Sequence, residues 1–221
     1  MLSPLQRRVL EIVWSLQGTE GLALAGGGAL IVRGVVDRHT EDLDLFGTSP
    51  GDVNRGLPVI ETALRDHGLT VDRDRVADGF ARLTISSEGE TTNLDLGWEP
   101  RVLPPEQTAH GPVLPEEELA AGKMLALFGR ALPRDFIDVS RLVDRFGLER
   151  LCELATERDP GFDREVFVEM LSRFWHWPRA DFDLVDAEYD RLGEEVDDWR
   201  EQLHRQQTER EIGKEPPGLG L

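Results

Sequence analysis

The sequence lacks the features of a secreted, membrane-spanning or disulfide-bonded protein. Its one cysteine, Cys152, cannot form an internal disulfide, which fits a reducing cytoplasm. No apolar run approaches the ~20 residues that a membrane span needs. The N-terminal stretch MLSPLQRRVLEIVW has no long apolar core followed by a cleavage site. We therefore expect a cytoplasmic protein without membrane association, in which Cys152 is a small core residue.

Basic residues are also scarce. The chain has 25 Lys and Arg against 43 Asp and Glu, for a net charge of −18. This balance argues against a protein that coats nucleic acid non-specifically, because neutralising phosphates requires clustered basic side chains. It does not exclude a local basic groove. The length of 221 residues fits either one large domain or a catalytic domain with a helical appendage, and 39% hydrophobic and 31% charged residues are typical of a globular protein.

Hydrophobic periodicity divides the chain into a mixed α/β half and an all-helical half. In the first half we predict helices and strands at 3–17, 22–25, 29–36, 43–46, 52–67, 69–73, 80–86 and 92–96. Residues 100–115 are proline-rich, which predicts a surface linker without regular structure. From Glu116 onward we predict five helices, at 116–130, 134–146, 148–156, 164–174 and from about Leu184. The predicted domains are a core at 1–115, a helical part at 116–210 and a disordered tail at 211–221.

Two aspartates alternate with leucines in residues 38–46, RHTEDLDLF. On a strand, Asp42 and Asp44 share one face. The alternation alone fits a solvated strand face as well as a metal site. Like charges ~5 Å apart repel by about 3 kcal/mol at an effective dielectric of 20, so a cation between them is favoured. Carboxylate oxygens suit Mg²⁺ or Mn²⁺, which commonly bridge substrate phosphates.

Two further patterns favour a phosphate and metal site. Residues 93–96, Asn-Leu-Asp-Leu, place Asp95 on another alternating strand, where it predicts a third carboxylate for two metal ions. Gly26, Gly27 and Gly28 stand at a strand-to-helix junction, where glycines let the backbone approach a phosphate and the helix offers free N–H groups. A tight turn explains the glycines equally well, and no P-loop lysine follows them.

The stretch 116–139, EEELAAGKMLALFGRALPRDFIDV, predicts a helix with a cationic edge formed by Lys123 and Arg130. Asp135 follows Arg134, which favours an ion-paired, positioned carboxylate. The alternative interpretation of Lys123 is a surface lysine whose aliphatic stem lies on apolar residues. The alternative for Asp135 and Asp138 is that they are first-turn acids favoured by the helix dipole.

Together these motifs resemble the AbiEii/AbiGii family of nucleotidyltransferase-like toxins. The run GGGALIVRGVVDRHTEDLDLF is similar to the family's first motif, and NLDLGWEP to its third-carboxylate strand. The run GPVLPEEELAAGKMLALFGRALPRDFIDVSRL resembles its lysine helix and the Arg-Asp-x-x-Asp helix that follows. The resemblance covers about residues 22–145. It implies an α+β, polymerase β-like nucleotidyltransferase fold, with a mixed-sheet core and a helical C-terminal half.

The resemblance also implies residue roles. Asp42 and Asp44 would bind metal together with Asp95, Lys123 would contact the triphosphate, and Asp135 would be a further essential acid. Thr40 matches a Ser/Thr that is phosphorylated in some relatives when the antitoxin silences the toxin, and a phosphate there would repel the metal carboxylates. The expected nucleotide-binding residues are Gly26, Gly27, Gly28, Arg33, Lys123 and Arg130.

The activity that the resemblance implies is transfer of NMP from an NTP, with Mg²⁺ or Mn²⁺, to an RNA such as the 3′ end of tRNA, or to a protein hydroxyl. The chain would be a toxin with a cognate antitoxin protein as partner. The alternative is an aminoglycoside or lincosamide nucleotidyltransferase, because Arg38-His39 together with DLDL resembles the metal-binding motif of those enzymes. An acidic protein also suits a polycationic antibiotic. A catalytically silent binding module is the third alternative.

Overall fold

The computed structural model describes the backbone of residues 1–212 and the side chains of residues 1–208, so most of the predicted tail at 211–221 lies outside the described residues. The chain forms two compact units, Met1–Leu119 and a second that begins at Ala120. The first is a mixed α/β unit and the second is helical, which confirms the predicted α+β class. The boundary between the units follows Leu119, inside the helix Glu116–Gly129. The prediction placed it just before this helix, at residue 115.

A seven-stranded mixed sheet forms the centre of the first unit. Its strands are β1 (Ala23–Ala25), β2 (Asp42–Gly47), β3 (Thr70–Ala77), β4 (Phe80–Ser87), β5 (Glu90–Trp98), β6 (Glu106–Thr108) and β7 (Gly111–Val113). They are ordered β3-β4-β5-β2-β1-β7-β6. β2 is antiparallel to β1 and parallel to β5, and β5 is antiparallel to β4. The predicted carboxylate strands are therefore direct neighbours.

Three helices belong to the first unit: α1 (Pro4–Trp14), α2 (Gly26–Val32) and α3 (Pro50–Asp66). α1 begins at a capping box, in which the Ser3 hydroxyl accepts from the N–H of Gln6 and the Gln6 side chain accepts from the N–H of Ser3. Apolar residues of α1 and α3, such as Val13 and Ile60, are fully buried. One face of the sheet is thereby committed to the core.

The prediction of an irregular linker at 100–115 is wrong, because this segment contains the hairpin β6–β7. Gly111, at φ +91°, makes the turn, and the N–H of Leu114 donates to the carbonyl of Leu24 at 2.9 Å. Proline frequency misleads here since Pro104, Pro105 and Pro115 flank the strands, and Pro112 lies within β7, where it pairs with Gln107 of β6.

The second unit is built from helices. They are α4 (Glu116–Gly129), which spans the unit boundary, α5 (Pro133–Phe146), α6 (Leu148–Arg158), α7 (Arg164–Leu171) and α8 (Asp186–Ile212), with 3-10 turns at Ser172–His176 and Arg179–Phe182. Its core holds an aromatic cluster in which the ring centroid of Phe174 lies 4.8 to 5.3 Å from those of Phe136, Phe182 and Tyr189. Cys152 is fully buried, which confirms it as a small core residue.

Several helix ends differ from the prediction: α1 ends at Trp14 rather than at residue 17, and α2 spans Gly26–Val32 rather than 29–36. The expected helix at 164–174 stops at Leu171 and continues as a 3-10 turn, in which Phe174 is buried and Trp175 is half exposed. The final helix begins at Asp186, so Val185 precedes it and is exposed. The apolar residues at helical spacing within this helix are buried: Tyr189, Leu192, Val196, Trp199 and Leu203. No helix within residues 1–212 is long and apolar enough to cross a membrane.

Candidate active site

The two faces of β2 differ in burial. Asp42 and Asp44 are half-buried on one face, together with Phe46, whereas Leu43 and Leu45 are fully buried on the other. The side-chain period of two residues produces this division. Both aspartates therefore project from the face of the sheet that the core does not use.

Neighbouring strands add polar side chains to this carboxylate face. In the parallel ladder, Asp44 lies opposite Asp95 of β5, and in the antiparallel ladder Asp95 lies opposite Arg82 of β4. Since paired residues on adjacent strands share a face, Asp44, Asp95 and Arg82 form one row across three strands, and Asp42 lies two residues before Asp44 on the same face.

Arg82 holds Asp95 in a bidentate ion pair. Its Nε donates to Oδ1 at 2.7 Å and its Nη2 to Oδ2 at 2.5 Å. The hydrogen bonds to Asp95 raise the pKa of Arg82, as does the charge of Asp95, and the charges of Asp42 and Asp44 add smaller contributions. Three carboxylates thus stabilise one guanidinium, which shows that this face favours a positive charge.

The three glycines after β1 each have a packing reason. Gly26 has φ +57°, and a Cβ there would overlap the carboxylate of Asp44. A Cβ on Gly27 would lie 3.1 Å from Arg38 Nη2 and 3.2 Å from Thr40 Oγ1, and one on Gly28 would crowd a leucine of β1 at 3.3 Å. The glycines therefore let α2 lie directly against the carboxylate strand. Their contact with a nucleotide stays a prediction.

Buried side chains fix the segment that leads into Asp42. The Nε2 of Gln6 donates to the carbonyl of Thr40 at 2.8 Å and to the hydroxyl of Thr92 at 3.1 Å. The Thr92 hydroxyl donates to the carbonyl of Glu41 at 2.9 Å, and the Thr40 hydroxyl to the carbonyl of Asp42 at 3.2 Å. Neither Gln6 nor Thr92 was predicted as a site residue. A polar residue within the buried stripe of α1 was the available signal for Gln6.

The carboxylate face fits a divalent cation in its donor chemistry. Asp42 and Asp44 offer hard oxygen ligands from the same side of one strand, at a place where a positive charge is already stabilised. No group of three His, Cys, Asp or Glu side chains among the described residues is arranged to hold a metal ion. Each oxygen of Asp95, the predicted third ligand, already accepts a hydrogen bond from Arg82, so a metal ion there would share this carboxylate with the guanidinium.

In the second unit, Lys123 forms a buried ion pair. Its Nζ lies 2.8 Å from Oδ2 of Asp138, and its side chain is 11% exposed while that of Asp138 is fully buried. Lys123 is thus not a snorkelling surface lysine. Asp138 was predicted as a first-turn acid and as the last residue of the Arg-Asp-x-x-Asp motif, but not as the partner of Lys123.

Asp135 is also fully buried and joins the end of α4 to the start of α5. Its oxygens accept from Arg130 Nε at 2.8 Å and Arg130 Nη2 at 2.9 Å, and from the N–H of Leu132 at 3.3 Å. Arg130 and Asp135, predicted to bind nucleotide and to act as an essential acid, are therefore paired with each other. Arg134, next to Asp135 in sequence, is not its partner in this ion pair.

Arg33 is committed to the hairpin β6–β7. Its Nε donates to the carbonyl of Leu114 at 3.0 Å, its Nη2 to the carbonyl of Val113 at 3.2 Å and its Nη1 to Glu106 at 2.6 Å. These bonds give Arg33 a structural role, and its predicted contact with nucleotide would have to compete with them.

Comparison with known proteins gives a family and a fold. The sequence model of the family described as "Nucleotidyl transferase AbiEii toxin, Type IV TA system" matches residues 8–218. No curated protein matches the sequence significantly. The solved structure of JHP933 from Helicobacter pylori is similar over 97% of this chain and 100% of that chain, with a TM-score of 0.56 and 17% identity.

A Helicobacter pylori protein provisionally described as a nucleotidyltransferase is similar over 90% of this chain and 93% of that chain, with a TM-score of 0.58 and 16% identity. At these identities the two structures establish the fold, while the match over 8–218 establishes the family.

Proposed function

This chain belongs to the AbiEii family of nucleotidyltransferase toxins of type IV toxin–antitoxin systems, and we propose that it transfers NMP from an NTP to the 3′ end of a transfer RNA. The observation that carries the proposal is the pair Asp42 and Asp44, half-buried on one face of β2. In such a transfer a hydroxyl oxygen of the acceptor bonds to the α-phosphorus. The bond to the β-phosphate oxygen breaks, pyrophosphate leaves, and the hydroxyl proton is lost to water.

Asp42 and Asp44 are the proposed ligands of Mg²⁺ or Mn²⁺. When bound, the cation would supply Lewis acidity toward the phosphates and the attacking hydroxyl. The two carboxylates also require fixed positions. Gly26 allows Asp44 its close approach to α2, and the bonds from Gln6 and Thr92 hold the backbone that leads into Asp42.

Lys123 and Asp135 are the proposed functional residues of the second unit. Lys123 carries a positive charge suited to a triphosphate, and Asp138 keeps that charge in place through a 2.8 Å ion pair. Asp135 fixes the guanidinium of Arg130, which is half exposed and offers a second cation for phosphate. The family also implies an antitoxin partner. We propose Thr40 as a phosphosite, because a phosphate of about −2 charge beside Asp42 would oppose nucleotide binding.

An antibiotic nucleotidyltransferase is the second candidate, and the net charge of −18 favours it because a polycationic aminoglycoside suits an acidic protein. The two candidates differ in acceptor. Purified protein is incubated with Mg²⁺, each of the four labelled NTPs, and either total tRNA or an aminoglycoside panel. We expect label on the 3′ end of tRNA. Label on an antibiotic and not on tRNA would overturn the RNA proposal.

Two variants connect the activity to the site. Asp42→Asn and Asp44→Asn should abolish transfer while the circular dichroism spectrum stays that of the wild type. Asp37→Asn, an exposed acid shortly before the same strand, serves as the matched control and should retain full transfer. Wild-type turnover in Asp42→Asn would contradict the role of the carboxylate pair.

A further inference from the structure

We propose that Arg82 binds the polyphosphate of the NTP, and that Asp95 orients Arg82 rather than binding a metal ion. This inference rests on the proposed function, since it names a substrate contact at the same carboxylate face. It replaces the expectation that Asp95 completes a three-carboxylate metal site. Four properties of the Arg82–Asp95 pair support it.

The first property is the way the guanidinium is held. Arg82 uses Nε and Nη2 for Asp95, at 2.7 and 2.5 Å, so one edge of the planar group is fixed in two places. Its Nη1 makes no hydrogen bond with any residue in the described part of the chain. A guanidinium fixed along one edge and open along another is preorganised for an oxyanion.

The second property is the unequal exposure of the two partners. The side chain of Asp95 is 10% exposed, whereas that of Arg82 is 46% exposed. The carboxylate is therefore the buried anchor and the guanidinium is the accessible end. This arrangement suits a carboxylate that positions a cation better than one that offers its oxygens to a metal ion.

The third property is position. Arg82 pairs with Asp95, and Asp95 pairs with Asp44, so Arg82 lies on the same face as the proposed metal ligands and two strands away from Asp44. Nucleotidyl transfer places a metal ion and a polyphosphate side by side, because the cation bridges the phosphate oxygens. A cation on the same face, two strands from the metal ligands, is suited to the phosphates that the metal ion leaves uncompensated.

The fourth property is the excess of negative charge around Arg82. Asp95 alone would neutralise the guanidinium, yet Asp42 and Asp44 also stabilise it. A divalent cation at Asp42 and Asp44 would remove much of this excess and would leave Arg82 able to attract a phosphate. Metal binding and phosphate binding by Arg82 should therefore reinforce each other.

The test measures binding of a non-hydrolysable NTP analogue and of Mn²⁺ separately. Calorimetry in the presence of Mn²⁺ gives the Kd of the analogue, and electron paramagnetic resonance without nucleotide gives the affinity and stoichiometry of Mn²⁺. We expect Arg82→Gln to weaken the analogue by about 10-fold or more and Asp95→Asn to weaken it less, since hydrogen bonds to charged groups have this effect. Mn²⁺ stoichiometry should be unchanged in both variants, and Arg82→Gln should bind Mn²⁺ at least as tightly as the wild type.

Arg75→Gln is the matched control. Arg75 is exposed and lies opposite Arg82 on β3, and its substitution removes the same charge as Arg82→Gln. It should leave the Kd of the analogue within about twofold. The free nucleoside serves as a second control. Its affinity should not change in Arg82→Gln, since it has no phosphate.

Three outcomes would overturn the assignment. These are loss of a Mn²⁺ equivalent in Asp95→Asn, an unchanged Kd of the analogue in Arg82→Gln, and an equal loss of affinity for the free nucleoside. A wild-type protein that binds NTP but transfers nothing would contradict the proposed function alone. A wild-type protein that binds no NTP would contradict both.

Discussion

Gly26 and Asp44 approach each other so closely that a side chain on Gly26 would occupy the space of the Asp44 carboxylate. Ala25 pairs with Asp44 across β1 and β2, and α2 begins immediately after it. The chain therefore turns into α2 directly beside one of the two proposed metal ligands. The positive φ of Gly26, +57°, adds a conformational reason for glycine to the steric one.

The first prediction concerns this contact. Gly26→Ala should reduce transfer about 100-fold, because the added methyl group would displace the Asp44 carboxylate. Gly34→Ala separates the two effects, since Gly34 also has a positive φ, +66°, but a Cβ there would meet nothing within 4 Å. We expect Gly34→Ala to lower the free energy of unfolding by about 1 kcal/mol and to keep activity. Equal losses of activity in the two variants would show that steric overlap is not the cause.

The second prediction concerns the buried pair of Lys123 and Asp138. Removing Asp138 leaves the buried ammonium of Lys123 without its carboxylate, so Asp138→Leu should lower the free energy of unfolding by about 3 to 5 kcal/mol. Adding Lys123→Met gives a double variant without the buried charge. The double variant should recover most of this loss and remain inactive, because the positive charge is absent. Urea denaturation and a transfer assay measure the two properties separately. Transfer by the double variant would contradict a role for Lys123 beyond stability.

The third prediction concerns the support of the segment before Asp42. Gln6→Met removes the donor to the carbonyl of Thr40 while keeping the length of the side chain. We expect kcat to fall about 10-fold with little change in the Kd of the nucleotide, since the substitution leaves the segment less fixed and removes no ligand. Gln17→Met, at an exposed position after α1, is the control and should behave as the wild type. A loss confined to nucleotide affinity would contradict a positioning role.

The fourth prediction concerns pH and the buried Glu61. Hydrogen bonds from Arg73 lower the pKa of Glu61, outweighing the opposing effect of burial, and the charges of Arg73 and Arg65 lower it further. A lowered pKa in the folded state gives stability that is present above the unfolded pKa of ~4.3 and is lost as pH falls through the folded value.

Glu61→Gln should therefore lower the free energy of unfolding by about 1 to 3 kcal/mol at pH 7 and by much less at pH 3. Urea denaturation at pH 7, 5 and 3 measures the difference. Glu11→Gln, an exposed acid on α1, should have little effect at any pH. A difference between wild type and Glu61→Gln that grows toward low pH would reverse the expected sign.

The carboxylate face was predictable where local pattern determines it. Alternation in DLDL and in NLDL places Asp42, Asp44 and Asp95 on strands, and the glycines mark the start of α2. Arg82 was not predictable in this way, because its partner depends on the register of two strands that the sequence does not specify. The same reason applies to Gln6 and Thr92, which are 86 residues apart and meet only in the folded sheet.

The partners of Asp135 and Lys123 show a related limit. Adjacent residues suggested Arg134 for Asp135, but side chains on a helix meet neighbours three or four positions away or on another helix, and Arg130 is the residue that binds it. Lys123 on α4 reaches Asp138 on α5, a pairing set by how the helices pack. Which charged residues are buried depends on this packing, so it cannot be predicted from the local sequence.

The alternation of β2 also separates what can change from what cannot. Leu43 and Leu45 are constrained by packing in the core, whereas Asp42 and Asp44 are constrained by the chemistry of the opposite face. During evolution toward a new acceptor, the residues on the exposed face of β2, β4 and β5 could therefore be substituted without loss of the fold. Residues on the core face could likewise be substituted during adaptation to a hotter or colder habitat without a change in the reaction.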